Sequence, residues 1–425
     1  MTTIYQRLRS AKAGTDSGPV QWEVVVIAFL TVLLDGYDTA VLGFAVPTIA
    51  GEWNLDESAF TPALAVTNLG VVIGYVCSGR AAARFGHKRL IVTGTVAFAA
   101  GSALTVPVDS VMTLGAARLV TALGLGIVLP SCVALATDHV PPARREAVSV
   151  GVVLGITLGA VVGGLVSAPL VETFGWTSLF WVGAALPVLL LPLLVRRLPS
   201  GPVSRSASPT AAADPALRRL FEQGMAKWTV LLWCLALLMY AVNYLLLAWL
   251  PTMLTKGYGF TAAQAPVGVS MIAMGGVLGG LLLIPLCSRF GAPRALAGMV
   301  VVGVVFLAAA SQVDAGRVVL LAVLIVAGAG IVAGVVGLTA LAVSLYPAAV
   351  RTTGVACAAA LGRVGSIVGP AVGGGLIALG MSSRNILLLS AVPVAIGAVL
   401  VFAFVVRARR MAHPALPASE YAEPA

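Results

Sequence analysis

The chain has 425 residues, of which 59% are hydrophobic and only 10% are charged. Roughly a quarter of the residues in ordinary soluble domains are charged, so this composition excludes a soluble enzyme or binding module. A formal net charge of +10 would suit a nucleic-acid partner, but the placement of the basic residues indicates a membrane orientation and no nucleic acid.

Twelve apolar runs are each long enough for a helix that crosses the hydrocarbon core, which takes about 20 residues. They predict an all-α membrane protein with twelve transmembrane helices. The predicted spans are 24–49, 61–79, 89–107, 111–137, 147–170, 177–195, 228–252, 262–287, 294–313, 317–345, 352–379 and 385–406. The first run is too long for a cleavable signal. The five cysteines lie in or beside spans and predict no disulfide and no metal site.

The basic residues are distributed unevenly between the loops. If both termini are cytoplasmic, 21 of the 26 Lys and Arg fall in cytoplasmic segments and only three in outer loops. This positive-inside pattern predicts a multi-pass protein of the cell membrane with both termini in the cytoplasm.

A polar stretch at 196–227 separates six spans from six. It is rich in Ser, Pro, Ala and Arg, which predicts a flexible cytoplasmic linker. We therefore predict an N-terminal six-helix bundle with its tail over 1–195, and a C-terminal six-helix bundle with its tail over 228–425.

The two halves repeat one another. Ala83-Arg84-Phe85-Gly86 recurs as Ser288-Arg289-Phe290-Gly291, an offset of 205, and the glycine-rich segment 155–164 recurs at 365–374, an offset of 210. Parallel repeats of six helices are typical of major facilitator transporters. Within the glycine-rich segments, small residues four apart predict close packing of the fifth and eleventh spans on other helices; these residues are Gly151, Gly155, Gly159, Gly163, Gly365, Gly369 and Gly373.

Apart from the arginines at span ends, which are counted with the loops, four charged residues lie inside spans: Asp35, Asp38, Arg118 and Arg363. A charge at the bilayer centre costs at least ~2.5–3.5 kcal/mol, so each needs a role. Asp35 and Asp38 share a helix face near the midplane, where two close carboxylates resist simultaneous ionisation. They are candidates for proton coupling. The alternative is that one is a structural carboxylate that caps a kink at Gly36 and the other is paired to an arginine.

The two arginines stay charged and present a planar fork of donors suited to a carboxylate. Mutual neutralisation of two Asp by two Arg is one interpretation. We favour Arg118 as the counter-ion of the acid pair, and Arg363 as the group that binds an anionic solute.

The repeat relates the acid pair to neutral residues of the seventh span. An offset of 205 carries Asp35 and Asp38 onto Tyr240 and Asn243. Together with Tyr244 and Trp249, these side chains are candidates for binding a ring-bearing ligand, with their polar tips as hydrogen-bonding groups. An alternative for Trp249 is an anchor at the membrane interface.

Several of these segments resemble the aromatic acid:proton symporters of the major facilitator superfamily. The resemblance covers Asp35-Gly36-Tyr37-Asp38-Thr39, Arg118 with Gly124-Leu125-Gly126, Trp249-Leu250-Pro251, and Gly362-Arg363-Val364-Gly365-Ser366. It implies that the two acids and two arginines are the functional charges. It also implies gating-loop residues at Gly79, Arg84, Gly86, Arg289, Gly291 and Arg351.

The chain departs from the superfamily pattern at several positions. Ala83 and Ser288 replace loop acids, His87 stands where Arg is common, and Val335 and Thr339 replace the Gln and Asn expected in the tenth span. The loop acids help latch the halves in the superfamily, so their loss bears on gating.

These observations predict a proton-coupled secondary transporter and no enzyme. The expected solute is a small carboxylate such as benzoate or a hydroxybenzoate, imported by alternating access in a monomer embedded in the lipid bilayer. No cofactor is expected, since the proton gradient supplies the energy. The alternatives are an exporter of a metabolite or drug, and a transport-inactive sensor on the same scaffold.

Overall fold

The computed structural model describes residues 21–141, 144–199, 218–222, 224–313, 316–346 and 348–412. Most of the predicted linker, the extreme N- and C-terminal tails and His413 lie outside these residues. Within the described ranges every long element is an α-helix. The twelve helices are α1 Trp22–Trp53, α2 Thr61–Phe85, α3 His87–Leu104, α4 Val111–Asp138, α5 Arg145–Phe174, α6 Thr177–Arg197, α7 Ala226–Tyr258, α8 Pro266–Phe290, α9 Ala292–Gln312, α10 Arg317–Leu345, α11 Ala348–Ala378 and α12 Ser383–Ala412.

The helices match the twelve predicted spans, and most run beyond them. Eleven of the described helices are long and apolar enough to cross a membrane. The other, α3, has 18 residues and begins with His87-Lys88-Arg89, which lowers its hydropathy. It also ends three residues before the predicted 107, because Pro107 disfavours the helical conformation of the residue before it.

The chain forms two compact units. Unit 1 takes the described residues of 1–45 and 62–208, and unit 2 takes 46–61 and the described residues of 209–425. This division follows the predicted halves except at 46–61, the end of α1 and the short 3₁₀ helix Glu57–Phe60 after it, which pack in unit 2. In that unit a Cβ added at Gly374 of α11 would lie 1.9 Å from Oγ1 of Thr61.

The two units use equivalent helix pairs. In unit 1, α3 packs against α4 and α6, and in unit 2 its repeat counterpart α9 packs against α10 and α12. The loops after α2 and α8 are equally alike. Gly86 adopts φ 83° and ψ 153°, and Gly291 adopts φ 81° and ψ 150°, in the left-handed half of φ space that suits glycine. The predicted repeat is thus visible in backbone angles.

Glycine faces bring helix backbones together within each unit. A Cβ at Gly159 of α5 would lie 2.0 Å from the Leu33 carbonyl oxygen of α1, and one at Gly369 of α11 would lie 2.0 Å from the Ala241 carbonyl oxygen of α7. Gly155, Gly163, Gly365 and Gly373 also pack closely, whereas Gly151 faces open space. The predicted close packing is therefore confirmed, except at Gly151, where no atom lies within 4 Å of an added Cβ.

Candidate functional site

Unit 1 contains a buried ion pair between α1 and α4. Arg118 Nη2 lies 2.6 Å from Asp38 Oδ2, and Nη1 donates to Oδ1 at 3.0 Å. Nη2 also donates to the main-chain oxygen of Asp38 at 3.0 Å, and neither side chain has any exposed surface. This is the bidentate geometry for which a guanidinium is suited. The structure thus pairs Arg118 with one of the two acids.

Two further side chains complete the surroundings of this pair. Ser102 of α3 donates a hydrogen bond to Asp38 Oδ1 at 3.0 Å, and the ring of Phe180 lies 5.8 Å from the Arg118 guanidinium carbon. Arg118 Nε is buried and has no hydrogen-bond partner among the described residues. Sequence analysis missed Ser102 and Phe180. The signal for Ser102 was its position as a polar residue deep in an apolar run.

Asp35 has different partners from Asp38, although the two acids lie one turn apart. Its side chain is almost fully buried, and Thr39 Oγ1 donates to its Oδ1 at 3.3 Å. The two carboxylates are therefore not equivalent: the guanidinium binds Asp38, and a hydroxyl binds Asp35. The structure brings both acids and Arg118 into unit 1 as predicted, and their role in proton coupling remains a prediction.

The backbone of α1 holds the acids in place. A Cβ added at Gly36, between them, would lie 2.0 Å from the Ile156 carbonyl oxygen of α5, so only glycine allows this approach. The hydroxyl of Tyr37 donates to the Leu179 carbonyl oxygen of α6 at 2.8 Å. α1 is continuous through Gly36, so that glycine is a close-packing residue within an unbroken helix.

Unit 2 contains a cationic and aromatic site on α7 and α11. Arg363 Nη1 donates to the hydroxyl of Tyr244 at 3.1 Å. The rings of Tyr240 and Tyr244 lie nearly parallel, with an 8° interplanar angle and centroids 6.3 Å apart. A Cβ at Gly362 would lie 2.7 Å from the Tyr240 ring, so the glycine before Arg363 leaves room for that ring. The half-buried Asn243 adjoins Tyr244 in sequence.

A cavity opens beside Tyr240. Its volume is about 30 Å³, far below the roughly 300–1,000 Å³ of typical small-molecule pockets, so in this conformation it has room for water but not for an aromatic ring. Its walls are apolar apart from the Tyr240 and Thr339 side chains; the lining residues are Tyr240, Val335, Leu338, Thr339, Ala342, Val355, Ala358 and Ala359. The two α10 positions where Gln and Asn were expected are thus walls of this cavity, and neither carries an amide.

Trp249 does not line this cavity, and its contacts are with the protein interior. Its side chain is fully buried, and its indole nitrogen donates to the Pro370 carbonyl oxygen at 2.8 Å. A Cβ at Gly373 would lie 2.5 Å from its ring. The interpretation of Trp249 as an interface anchor is wrong, because packing inside the unit covers the whole side chain. These contacts account for its burial without a ligand, and its assignment to the substrate site stays a prediction.

The predicted gating-loop residues form two matching sets. Arg84 and Arg289 each lie 5.4 Å from the ring of the phenylalanine that follows, beside Gly86 and Gly291. Gly79 lies inside α2 with open space around it. Arg351 lies in the first turn of α11, but its side chain is outside the described residues. The gating role of this set stays a prediction.

Comparison with known proteins identifies the family. The sequence matches the Major Facilitator Superfamily over residues 28–311. The chain belongs to the major facilitator superfamily. It is 31% identical to a 4-hydroxybenzoate transporter of Pseudomonas aeruginosa (89% of this chain, 91% of the relative), and 33% identical to a 3-(3-hydroxy-phenyl)propionate transporter of Escherichia coli (91% and 94%). The predicted resemblance to the aromatic acid transporters of this superfamily is confirmed.

Solved structures agree on the fold of this superfamily member. The nucleoside transporter NupG superposes with a TM-score of 0.71 at 16% identity, covering 92% of this chain and 99% of that chain. A D-xylose-proton symporter superposes with a TM-score of 0.68 at 20% identity, covering 88% and 97%. The protein is therefore a multi-pass membrane protein with the major facilitator fold, and its named relatives are transporters.

Proposed function

We propose that this protein is a proton-coupled importer of a small aromatic carboxylate. The observation that carries the proposal is the placement of the Arg363 guanidinium against the Tyr244 hydroxyl, beside two parallel tyrosine rings. A planar cation recognises a carboxylate through paired hydrogen bonds, and aromatic faces recognise a ring. The relatives named above are transporters of 4-hydroxybenzoate and of a hydroxyphenylpropionate, and a 29% identical relative in Pseudomonas putida is a gallate transporter.

The apolar residues that line the small cavity beside Tyr240 favour a ring with few hydroxyl groups, once a change of conformation has made room for a ring. Thr339 supplies its only side-chain hydroxyl besides that of Tyr240, and the other lining residues cannot bond to a phenol. A buried hydroxyl without a partner costs about 1–3 kcal/mol, so each additional phenolic group weakens binding in an apolar cavity. We therefore rank benzoate and monohydroxybenzoates above trihydroxylated acids as solutes.

Proton coupling is assigned to the acids of unit 1. Protonation of Asp38 removes the negative partner of Arg118, and protonation of Asp35 removes a second buried charge. Either event changes the charge of a site from which solvent is excluded, and the free energy of a conformation depends strongly on such a change. Binding of a proton and release of a proton can thus accompany reorientation of the loaded carrier. The proton gradient is the energy source, and no bound cofactor takes part.

The orientation follows from the basic residues. With both termini in the cytoplasm of the cell, the excess of Lys and Arg lies on the cytoplasmic side, as the positive-inside rule requires. The proposed functional unit is a monomer in the cell membrane. Import of the solute and protons from outside uses the inward proton gradient directly.

The test is uptake of labelled 4-hydroxybenzoate into proteoliposomes with a proton gradient imposed inward, outward or not at all. We expect accumulation only with the inward gradient, and its collapse on addition of an uncoupler. Competition by unlabelled benzoate, gallate and a sugar reports the solute class, with benzoate expected to compete best. Accumulation that persists in the presence of the uncoupler would contradict proton coupling. Loss of preloaded label from the vesicles under the inward gradient would favour export.

A further inference from the structure

In each unit, the start of the first helix and the end of the last helix carry residues that the repeat relates to one another. An offset of 205 carries Glu23 at the start of α1 onto Trp228 at the start of α7, and an offset of 210 carries Arg197 at the end of α6 onto Arg407 near the end of α12. The same two offsets relate the loop and glycine segments of the halves. The two arginines therefore occupy corresponding places, each beside the first turn of its unit's first helix.

The partners of these arginines differ. In unit 1, Arg197 Nη1 lies 3.0 Å from Glu23 Oε1, an exposed ion pair that balances the charge. In unit 2 the acid is replaced by tryptophan, and the guanidinium carbon of Arg407 lies 4.8 Å from the centroid of the Trp228 ring. The ring attracts the cation through its quadrupole but carries no net negative charge.

Unit 2 also concentrates positive charge at this ring. Lys227 Nζ lies 5.7 Å from the same Trp228 centroid, so two cations contact one indole. The ring of Phe404 packs against the indole with centroids 5.4 Å apart and holds it in place. Arg407 Nη1 is buried and has no hydrogen-bond partner among the described residues. An unsatisfied cationic donor in a hydrophobic setting favours the approach of an anion.

The chain has few acids that could supply that anion. Between residues 223 and 419 the sequence contains one acidic residue, Asp314, in the connection between α9 and α10. Glu222, the closest acid to Trp228 in sequence, lies 3.6 Å from Arg218 Nε. Among the described residues, neither Arg407 nor Lys227 forms an ion pair with an acid, so this pair of cations is open to an anion from outside them.

We infer that Arg407, Lys227 and Trp228 form a binding site for the phosphate of an anionic phospholipid headgroup. The site lies at the end of a membrane helix, where a headgroup meets protein. Basic clusters between helix ends on the cytoplasmic side are suited to phosphodiester anions. The Arg407 guanidinium offers a planar fork of donors, and Lys227 adds a second charge from the neighbouring helix. The equivalent place in unit 1 is already neutralised by Glu23 and takes no lipid.

The test counts lipids bound to the purified full chain by native mass spectrometry in detergent with added phosphatidylglycerol or phosphatidylcholine. For Arg407→Gln we expect an affinity for phosphatidylglycerol about fivefold lower, the effect of one interfacial charge. Arg197→Gln is the matched control, since it removes the same charge from the equivalent position, and it should leave binding unchanged. Trp228→Glu installs the unit 1 acid and should also lower the affinity while Arg407 is retained.

Several results would overturn the inference. Equal losses in the Arg407 and Arg197 variants would show a general charge effect. Competition by millimolar inorganic phosphate as strong as by lipid would assign the site to a free anion. A rise in lipid binding on Glu420→Gln with Glu423→Gln would show that the chain's own C-terminal acids occupy it. Each variant is compared at equal recovery of monodisperse protein. If Arg407→Gln does not fold, Arg407→Lys, which retains the charge but loses the planar fork of donors, is measured in its place.

Discussion

Asp38 and Arg118 form two parallel hydrogen bonds with both side chains fully enclosed by protein. Removing one partner of such a pair leaves a buried charge uncompensated, which costs about 3–5 kcal/mol. We expect Asp38→Asn to abolish gradient-driven uptake and to lower the thermal unfolding temperature of the protein. The measurements are proteoliposome uptake and a thermal melt in detergent.

A double variant separates coupling from stability. Asp38→Asn combined with Arg118→Gln removes both charges, so the melting temperature should recover relative to Asp38→Asn alone while uptake stays absent. Ser102→Ala, which removes only the hydroxyl donor to Asp38, should retain uptake at a reduced rate. Full uptake in the double variant would refute a coupling role for the pair.

Arg363 is expected to determine the affinity for the solute. Arg363→Lys retains the charge but loses the planar fork, and we expect KM to rise about tenfold with a smaller change in maximal rate. Tyr244→Phe removes the hydroxyl that accepts from Arg363 Nη1 and should raise KM roughly 2- to 10-fold.

A control for the tyrosine variant is available in the same unit. The Tyr258 hydroxyl donates to the Ala310 carbonyl oxygen at 2.9 Å, on residues that take no part in the Arg363 site. Tyr258→Phe should therefore leave KM unchanged. Equal KM values in Tyr244→Phe and Tyr258→Phe would show that the Tyr244 hydroxyl does not contribute to solute binding.

The close approach of α11 to α7 predicts a strong effect of one methyl group. Gly369→Ala would place a Cβ 2.0 Å from the Ala241 carbonyl oxygen, so the helices must move apart. Overpacking of this kind costs about 1–3 kcal/mol, and we expect reduced yield of folded protein and a lower melting temperature. Gly375→Ala on the same helix meets open space and should be neutral or stabilising by up to about 1 kcal/mol. Similar melting temperatures for the two variants would contradict the observed packing.

The burial of His87 leads us to expect that the stability of the folded protein depends on pH. The residue lies just before the predicted third span, and burial lowers the pKa of its imidazole, an effect that the nearby Asp138 only partly opposes. The folded protein therefore binds a proton on this imidazole less readily than the unfolded chain does. As the pH falls below the ordinary histidine pKa of about 6.5, protonation favours the unfolded chain and the free energy of unfolding decreases. His87→Gln should flatten the decline of melting temperature between pH 7 and pH 5.

The comparison for this measurement is the unsubstituted protein, melted over the same pH range. A profile for His87→Gln that parallels the unsubstituted protein would assign the pH dependence to other groups.

The helices and the repeat were predictable because hydrophobic run length and recurring glycine patterns are local features of the sequence. The pairing of Arg118 with an acid was also predictable, since an unpaired arginine in a span is costly. The choice between Asp35 and Asp38 was not, because it depends on how α1 is rotated against α4. The contacts of Ser102 and Trp249 likewise depend on which face of each helix meets its neighbour, and hydrophobicity alone does not specify that face.

The segment 46–61 illustrates a second limit. It belongs to the first repeat by sequence but packs with unit 2, where Lys256 contacts Glu57 and lies 3.8 Å from Asp56. These charges stand far apart along the chain, and only tertiary folding reveals that they meet. Repeat boundaries in a sequence therefore do not fix the boundaries of compact packing.

The contact of Gly36 with the Ile156 carbonyl oxygen links two main chains without an intervening side chain. The height of the acid-bearing turn along α1 is therefore insensitive to substitutions among the surrounding apolar residues. Under the proposed function, the side chains of the α7, α10 and α11 site can change through evolution while the carboxylates keep their register. Such a scaffold would acquire a new solute and retain the same proton-coupling residues.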